Sequence, residues 1–94
     1  MPRAFYLITY DVPDDKRRLK IAKHLEALGD RVQYSVFEIW LTPKELKTLV
    51  SRLEKVLEEE EDSVRIYALC EACRGKVRIH GLGQVSPPPG VVIL

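Results

Sequence analysis

Short blocks of hydrophobic and polar residues predict three strand regions separated by two helices. Residues 4–12, AFYLITYDV, are rich in aromatic and β-branched side chains and predict a strand that is apolar on both faces. Residues 30–41, DRVQYSVFEIWL, are too long for one ordinary strand, so we expect two strands joined by a tight turn near Tyr34 and Ser35. Residues 63–70, SVRIYALC, predict the last strand region.

Two amphipathic segments lie between these strand regions. The first begins at Asp14, the expected N-cap, and ends before Gly29. The second begins at a capping box formed by Thr42 and Glu45, and apolar side chains then recur every three or four residues. The acidic run that follows, residues 58–62, predicts a solvated turn because acidic side chains oppose the dipole at a helix C-terminus.

The C-terminal part of the chain predicts one more strand and a tail. Residues 76–82, KVRIHGL, alternate between apolar and basic side chains, which predicts an exposed strand with one basic face. Residues 83–94 contain three consecutive prolines and end in four apolar residues. We therefore expect a folded unit over residues 1–82 and a Pro-rich tail over residues 83–94.

The predicted order of elements is that of an α+β, ferredoxin-like βαββαβ antiparallel sheet with an extra C-terminal strand. Both helices of that fold cover one face of the sheet, so the second apolar face of the opening strand is left bare. An open apolar face on a chain of 94 residues predicts a partner. We expect a symmetric, sheet-to-sheet homodimer, in which the extra strand and the tail cover or extend the partner's sheet.

The composition narrows the classes of function. Fifteen Lys and Arg residues against fourteen Asp and Glu residues give a net charge of +1, which excludes binding of nucleic acid by bulk positive charge. Residues 63–94 contain four basic side chains and one acidic side chain, so we expect a polyanion to meet that part or a composite face. The N-terminus has no signal-peptide pattern and no apolar run reaches ~20 residues, which predicts a cytoplasmic protein with no membrane contact.

Asp11 is the first candidate for chemistry, because a charged side chain is rare in such an apolar strand unless it has a partner. It is interpreted either as a structural cap or as a ligand of Mg²⁺ or Mn²⁺, since such ions often use only one or two protein carboxylates. Arg18 falls within the apolar stripe of the first helix on a helical wheel. We expect Arg18 either to pair with Asp11 or neighbouring backbone, or to hold a phosphate.

Basic and aromatic side chains provide further candidates. Lys76 and Arg78 of the last predicted strand, together with Arg74, can either track a phosphate backbone or form an ordinary charged edge. Three aromatic residues are candidates for stacking on bases, although core positions are commoner for such side chains, and they are Tyr10, Tyr34 and Phe37.

Cys70 and Cys73 form one C-x-x-C pair. We interpret them as two small side chains at the end of a strand, with a zinc site shared across a dimer as the alternative. A redox role lacks its usual context, which is a helix N-terminus after a strand.

Four segments carry a resemblance to a known family: YLITYDV at 6–12, GDRVQYSVFE at 29–38, LTP at 41–43 and DSVRIY at 62–67. They resemble the small CRISPR-associated endonuclease, the second core protein of CRISPR adaptation in antiviral defence and the partner of the CRISPR integrase. The resemblance implies a homodimer in which the two Asp11 carboxylates face each other across the two-fold axis and bind Mg²⁺ or Mn²⁺.

The resemblance further implies metal-dependent cleavage of single-stranded RNA or double-stranded DNA. It implies catalytic roles for Asp11, Tyr10 and Arg18, with Arg31 and Phe37 near the active site and in contact with nucleic acid. The alternative is a non-catalytic, dimeric scaffold that holds duplex DNA for the integrase, with the Pro-rich tail as a docking segment. A small-molecule regulatory domain of the same fold is a third interpretation, without a pocket signature in the sequence.

Overall fold

A computed structural model describes residues 2–81 of the chain. The strands are β1 (Ala4–Asp11), β2 (Asp30–Gln33), β3 (Val36–Leu41) and β4 (Ser63–Leu69), and the helices are α1 (Asp15–Glu26), α2 (Pro43–Val56) and the short α3 (Glu71–Arg74). The strands form one antiparallel sheet in the order β2-β3-β1-β4. With two helices in a βαββαβ order, this is the ferredoxin-like arrangement, and the predicted fold class is confirmed. The predicted tail, residues 83–94, lies outside the described residues.

Both main helices begin at the predicted capping residues. Asp14 accepts a hydrogen bond from the backbone N–H of Arg17 at 2.9 Å and caps α1. The Thr42 hydroxyl accepts from the Glu45 N–H at 3.1 Å, and the Glu45 carboxylate accepts from the Thr42 N–H at 2.8 Å, so both halves of the capping box form. The Thr42 N–H and then Arg3 hold the pKa of Glu45 below its ordinary value.

The chain between α1 and β2 depends on a glycine at a close approach. The helix ends at Glu26 with Ala27 as its C-cap, slightly before the predicted end. A Cβ on Gly29 would lie 2.5 Å from Cγ1 of Ile39 and 2.7 Å from the carbonyl oxygen of Glu38. Gly29 therefore serves less to end the helix than to let the chain enter β2 directly beside β3.

Helices α1 and α2 cover one face of the sheet. Alternate residues of β1 and β3 point towards the helices, and the fully buried side chains of this core include Ile8, Phe37, Ile39, Ile21, Leu25, Leu49 and Leu53. The tight turn after β2 is also confirmed, because β2 and β3 are separated only by Tyr34 and Ser35. None of the helices formed within residues 2–81 has the length and apolarity of a membrane span.

Within residues 2–81 neither α1 nor α2 covers the other face of the sheet, and we call it the open face. It carries alternate residues of β1 together with their cross-strand neighbours, and the β1 residues are Phe5, Leu7, Thr9 and Asp11. One end of this face is apolar, because Phe5 is only 2% exposed and packs on Trp40 with ring centroids 5.1 Å apart. The other end is polar and ends at Asp11, which is exposed. Both faces of β1 thus carry apolar side chains, as predicted, and on the open face these are Phe5 and Leu7.

The predicted extra strand over residues 76–82 is wrong for residues 76–81, the part that the structure describes. The chain turns after α3, and the N–H groups of Lys76 and Val77 donate to the carbonyls of Cys73 and Arg74 at 3.1 and 3.2 Å. These turns use donors that a strand would give to a neighbouring strand, and alternation in sequence does not supply such a neighbour. The Arg74 guanidinium lies 5.3 Å from the centre of the Trp40 ring and covers the apolar end of the open face.

Candidate metal and nucleic-acid site

Asp11 stands at the carboxyl end of β1, one of the two central strands of the sheet. Its Cα partner in β4 is Ser63, and its side chain is on the open face. Within residues 2–81 no hydrogen bond or ion pair engages the Asp11 carboxylate, including the pairing with Arg18 that the sequence suggested. Both carboxylate oxygens are therefore available to a ligand.

Two open depressions meet at Asp11. The first has a volume of about 410 Å³ and lies between α1 and the β2–β3 turn; we call it the basic groove, and its lining includes Tyr10, Asp11, Arg18, Arg31 and Tyr34. The second has a volume of about 400 Å³, and its lining on the open face includes Thr9, Asp11, Ser63, Arg65 and Tyr67. The Asp11 carboxylate thus lies where the basic groove, with Arg18 and Arg31, meets the open face.

Arg18 lines the basic groove but does not lie on the buried stripe of α1. The buried residues of that helix are Ile21, Ala22 and Leu25, whereas the Arg18 side chain is 44% exposed. The expectation that Arg18 lies on the inward face of the helix is wrong, since the helix buries only residues from Ile21 onward. The expected pairing with neighbouring backbone is confirmed, since Arg18 donates to the Val12 carbonyl at 3.0 Å and also pairs with Asp15.

Arg31 is oriented by the core beneath it. Its guanidinium lies 5.3 Å from the centre of the Phe37 ring and donates to the Tyr10 hydroxyl at 3.3 Å. Glu26 is 3.5 Å from the same guanidinium. The Tyr10 hydroxyl in turn donates to the Tyr34 carbonyl at 3.3 Å, so Tyr10 links the β2–β3 turn to Arg31.

The aromatic candidates fall into two groups. Phe37 is fully buried and Tyr10 is 5% exposed, whereas Tyr34 is 95% exposed at the rim of the basic groove. Phe37 has no surface with which to contact nucleic acid in this structure, because it lies in the core as the support for Arg31. Of these three candidates, Tyr34 is the one whose ring a base can reach.

The expected basic strand face with Lys76 and Arg78, to which Arg74 was expected to add, does not form. Arg74 is stacked on Trp40 and lies 3.7 Å from Glu71, at the end of the sheet away from Asp11. Lys76 and Arg78 are exposed in the segment after α3. The common face is lost because it depended on the extra strand, which residues 76–81 do not form.

Sequence reasoning missed an ion-pair network beside the site. Arg17 donates through Nε to Asp62 at 2.8 Å, and through Nη2 to Asp62 at 3.1 Å and Glu61 at 2.9 Å. The Asp62 side chain is fully buried, so the expectation of a solvated acidic turn is wrong at this residue. The Arg17 hydrogen bonds lower the pKa of the Asp62 carboxyl. The network fixes the start of α1 to Asp62, directly before β4. The next residue, Ser63, is the cross-strand neighbour of Asp11.

Arg65 is a second residue that the sequence analysis did not single out. It pairs across the strands with Thr9 and lines the same open-face depression as Asp11. A side-chain hydrogen bond to Tyr67 raises the pKa of its guanidinium. The alternation of β4 contained the signal, because residues 63, 65 and 67 share the face that carries Asp11.

Asp11 is the one carboxylate that the described residues place at this site. Within residues 2–81 no three His, Cys, Asp or Glu side chains come together in a way that could hold a metal ion. Asp11 supplies the hard carboxylate oxygens that Mg²⁺ and Mn²⁺ prefer, and these ions keep several waters when few protein ligands are present. The donor type of Asp11 therefore fits such an ion.

The known proteins that this chain is similar to share one family name. The family model described as CRISPR associated protein Cas2 matches residues 4–77. The CRISPR-associated endoribonuclease Cas2 3 of Synechocystis sp. is 47% identical over 89 residues, which are 95% of this chain and 97% of that protein. The CRISPR-associated endonuclease Cas2 2 of Thermus thermophilus is 40% identical over 94 residues, the full length of both chains. A chain of the partial Cas6-RT-Cas1–Cas2 complex superposes with a TM-score of 0.78 at 29% identity, covering 97% of this chain and 99% of that one.

Proposed function

Since this chain belongs to the Cas2 family of CRISPR-associated proteins, we propose that it is a homodimeric, metal-dependent endonuclease of CRISPR adaptation. Its substrate is a phosphodiester bond of single-stranded RNA or double-stranded DNA. The observation that carries the proposal is the exposed Asp11 carboxylate, unpaired within residues 2–81, between the basic groove and the open face. The relatives named endoribonuclease and endonuclease support the reaction class.

A second copy of the chain supplies the missing ligand. Packing of two open faces about a two-fold axis near Asp11 brings two carboxylates to one divalent ion. Oxygens that share one Mg²⁺ must lie within ~4 Å of each other, because each Mg–O bond is ~2.1 Å long. The partly exposed apolar side chains of the open face, Leu7 and Tyr67, support such a contact, since burying them removes apolar surface from water.

The residues of the basic groove position the nucleic acid. The Asp11 carboxylates would hold Mg²⁺ or Mn²⁺, which when bound would supply an activated water and offset charge on the scissile phosphate. Arg31, held by Phe37 and Tyr10, presents its guanidinium to another phosphate of the nucleic-acid strand that is cleaved. Arg18 contributes a second cation that its bond to the Val12 carbonyl keeps at the groove. The exposed ring of Tyr34 offers a surface for stacking by an adjacent base.

The direct test is cleavage of labelled single-stranded RNA and of labelled duplex DNA by the purified chain. We expect products from at least one substrate with Mg²⁺ or Mn²⁺ and none with a chelator, because Asp11 alone gives no nucleophile without a metal. Gel electrophoresis of the two substrates in parallel separates endoribonuclease from endodeoxyribonuclease activity. No cleavage of either substrate with either ion would contradict the proposed reaction.

The dimer is tested separately by substitution of a leucine on each face. Leu7→Lys is expected to convert the dimer into a monomer, because the two-fold axis brings like charges together within the open face. Leu19→Lys is the control, since Leu19 is a 62% exposed leucine on α1 and lies outside the open face. Size-exclusion chromatography with light scattering measures both. A monomeric wild-type chain, or a dimeric Leu7→Lys variant, would exclude this interface.

A non-catalytic scaffold is the second candidate function. The likeness to a chain of a complex whose name includes Cas1 and Cas2 favours it, because holding DNA for the Cas1 integrase requires a dimer but no cleavage. In that case Arg18, Arg31 and the exposed Lys76 and Arg78 act only through phosphate contacts. Duplex binding without cleavage, in the presence of Mg²⁺ and Mn²⁺, would favour the scaffold.

A further inference from the structure

The C-x-x-C pair stands where β4 ends and α3 begins. Cys70 is the N-cap of α3, and its Sγ accepts a hydrogen bond from the Cys73 N–H at 3.4 Å. Both cysteines are free thiols and both are exposed. The expectation that the pair lacks a strand-then-helix context is wrong, because α3 begins directly after β4.

The two thiols are close to each other and chemically unequal. The Cys73 N–H, followed by the Cys73 thiol, lowers the pKa of the Cys70 thiol, while the Cys70 sulfur raises the pKa of the Cys73 thiol. Because the thiolate is the nucleophile in thiol–disulfide exchange, Cys70 is the residue that reacts first. No third His, Cys, Asp or Glu within residues 2–81 joins the pair in a group suited to a metal, so one chain does not complete a zinc site.

We propose that Cys70 and Cys73 form a reversible dithiol–disulfide pair that reacts with low-molecular-weight disulfides. The Cys70 thiolate attacks one sulfur of the oxidant, a new S–S bond forms, and the other half of the oxidant leaves as a thiolate that takes up a proton. Cys73 then loses its proton and attacks the Cys70 sulfur, which displaces the second half as a thiol. Two electrons pass to the oxidant, which becomes two thiols, and the two protein thiols become one disulfide.

The redox state of this pair is coupled to the open face through Arg74. Arg74 follows Cys73 directly and stacks on Trp40, the single tryptophan of the chain. Its Nε is buried without a hydrogen-bond partner, so the position of Arg74 depends on the stacking contact and on α3. Closing the disulfide replaces the N–H to sulfur contact that starts α3 and moves the backbone next to Arg74. The environment of the Trp40 ring therefore reports oxidation.

The test uses the full chain equilibrated with oxidised and reduced glutathione in the presence of a chelator. We expect mass spectrometry to show the loss of two hydrogen atoms per chain, with reversal by dithiothreitol, and Trp40 emission to change in parallel. Cys73→Ser is expected to stop at a stable glutathione adduct on Cys70, because no second thiol resolves it. Cys70→Ser is expected to react at least about tenfold more slowly than Cys73→Ser, since the Cys73 thiol has no counterpart of the backbone N–H that lowers the pKa of the Cys70 thiol.

Several outcomes overturn the proposal, and none depends on nuclease activity. Equal reaction rates of the two serine variants would exclude the assigned roles. Wild-type chains that give only glutathione adducts, or disulfides between two chains, would exclude the intramolecular pair. Protection of both thiols by added Zn²⁺ at equimolar concentration, reversed by the chelator, would assign the cysteines to a cation site shared between chains. Circular dichroism of each variant confirms that the compared chains are folded.

Discussion

Replacing Asp11 with Asn is expected to abolish metal-dependent cleavage while the fold and the dimer remain. The substitution keeps the shape of the side chain but removes the charge that binds a hard divalent cation. Loss of residues that merely orient a metal ligand commonly costs 10–100-fold, so loss of a ligand should lower the cleavage rate by at least about 100-fold. Time courses of cleavage at saturating Mg²⁺ and at saturating Mn²⁺ measure the effect.

The fold should tolerate this change because Asp11 is exposed and contributes no hydrogen bond or ion pair within residues 2–81. Glu54→Gln is the matched control: it also removes one exposed carboxylate, but from α2, on the other side of the sheet. It should leave both the rate and the dimer unchanged. Light scattering on the wild type and both variants shows whether a loss of cleavage is accompanied by a loss of the dimer.

Cleavage by Asp11→Asn at the wild-type rate would rule out the proposed mechanism and would indicate a contaminating nuclease. If the same variant also binds duplex DNA as tightly as the wild type, the scaffold function becomes the better account of the chain. If binding falls together with cleavage, Asp11 contributes to the basic groove itself. The cleavage assay therefore tests the proposed mechanism, and the DNA-binding assay tests whether Asp11 and the basic groove contact nucleic acid.

The fold could be predicted because its signals are local. Asp14, Thr42 and Glu45 start the helices through hydrogen bonds that span three residues, and those contacts form as the sequence indicates. The two-sided apolar character of β1 likewise requires cover on both faces, whatever the partner is. A strand, by contrast, needs a neighbour, and the alternation of residues 76–81 contains no information about one. This is why strand-like hydrophobic patterns predicted the core strands correctly but the extra strand wrongly.

The site was predicted in part. Asp11 stood out because it is a charged residue in an apolar strand, and Arg31 entered only through the family resemblance. A helical wheel gives the direction of Arg18 around the axis but not whether a sheet lies beneath that turn. Asp62 and Arg17 are separated by 45 positions in the chain, and no periodicity connects them. Contacts of this kind are set by how the elements pack.

Asp62→Asn is expected to destabilise the chain far more than Glu61→Gln, although both carboxylates bind Arg17. The Asp62 side chain is fully buried, whereas that of Glu61 is 61% exposed. Asn cannot accept both guanidinium hydrogen bonds, because its amide nitrogen turns a donor towards the donors of Arg17. We expect the thermal midpoint to fall by at least about 5 °C for Asp62→Asn and by less than about 2 °C for Glu61→Gln.

The pH dependence of this difference follows from the lowered pKa of Asp62. A carboxyl whose folded pKa is below its unfolded value of ~3.9 stabilises the fold fully above that value and loses the contribution as pH falls through the folded pKa. The midpoints of wild type and Asp62→Asn should therefore differ by a constant amount between about pH 6 and pH 8 and converge below about pH 4. Circular dichroism melting curves across this range measure the difference. Equal midpoints for Asp62→Asn and Glu61→Gln at neutral pH would mean that the Arg17 network does not hold the start of α1 against β4, and Asp11 would then owe its position to the sheet alone.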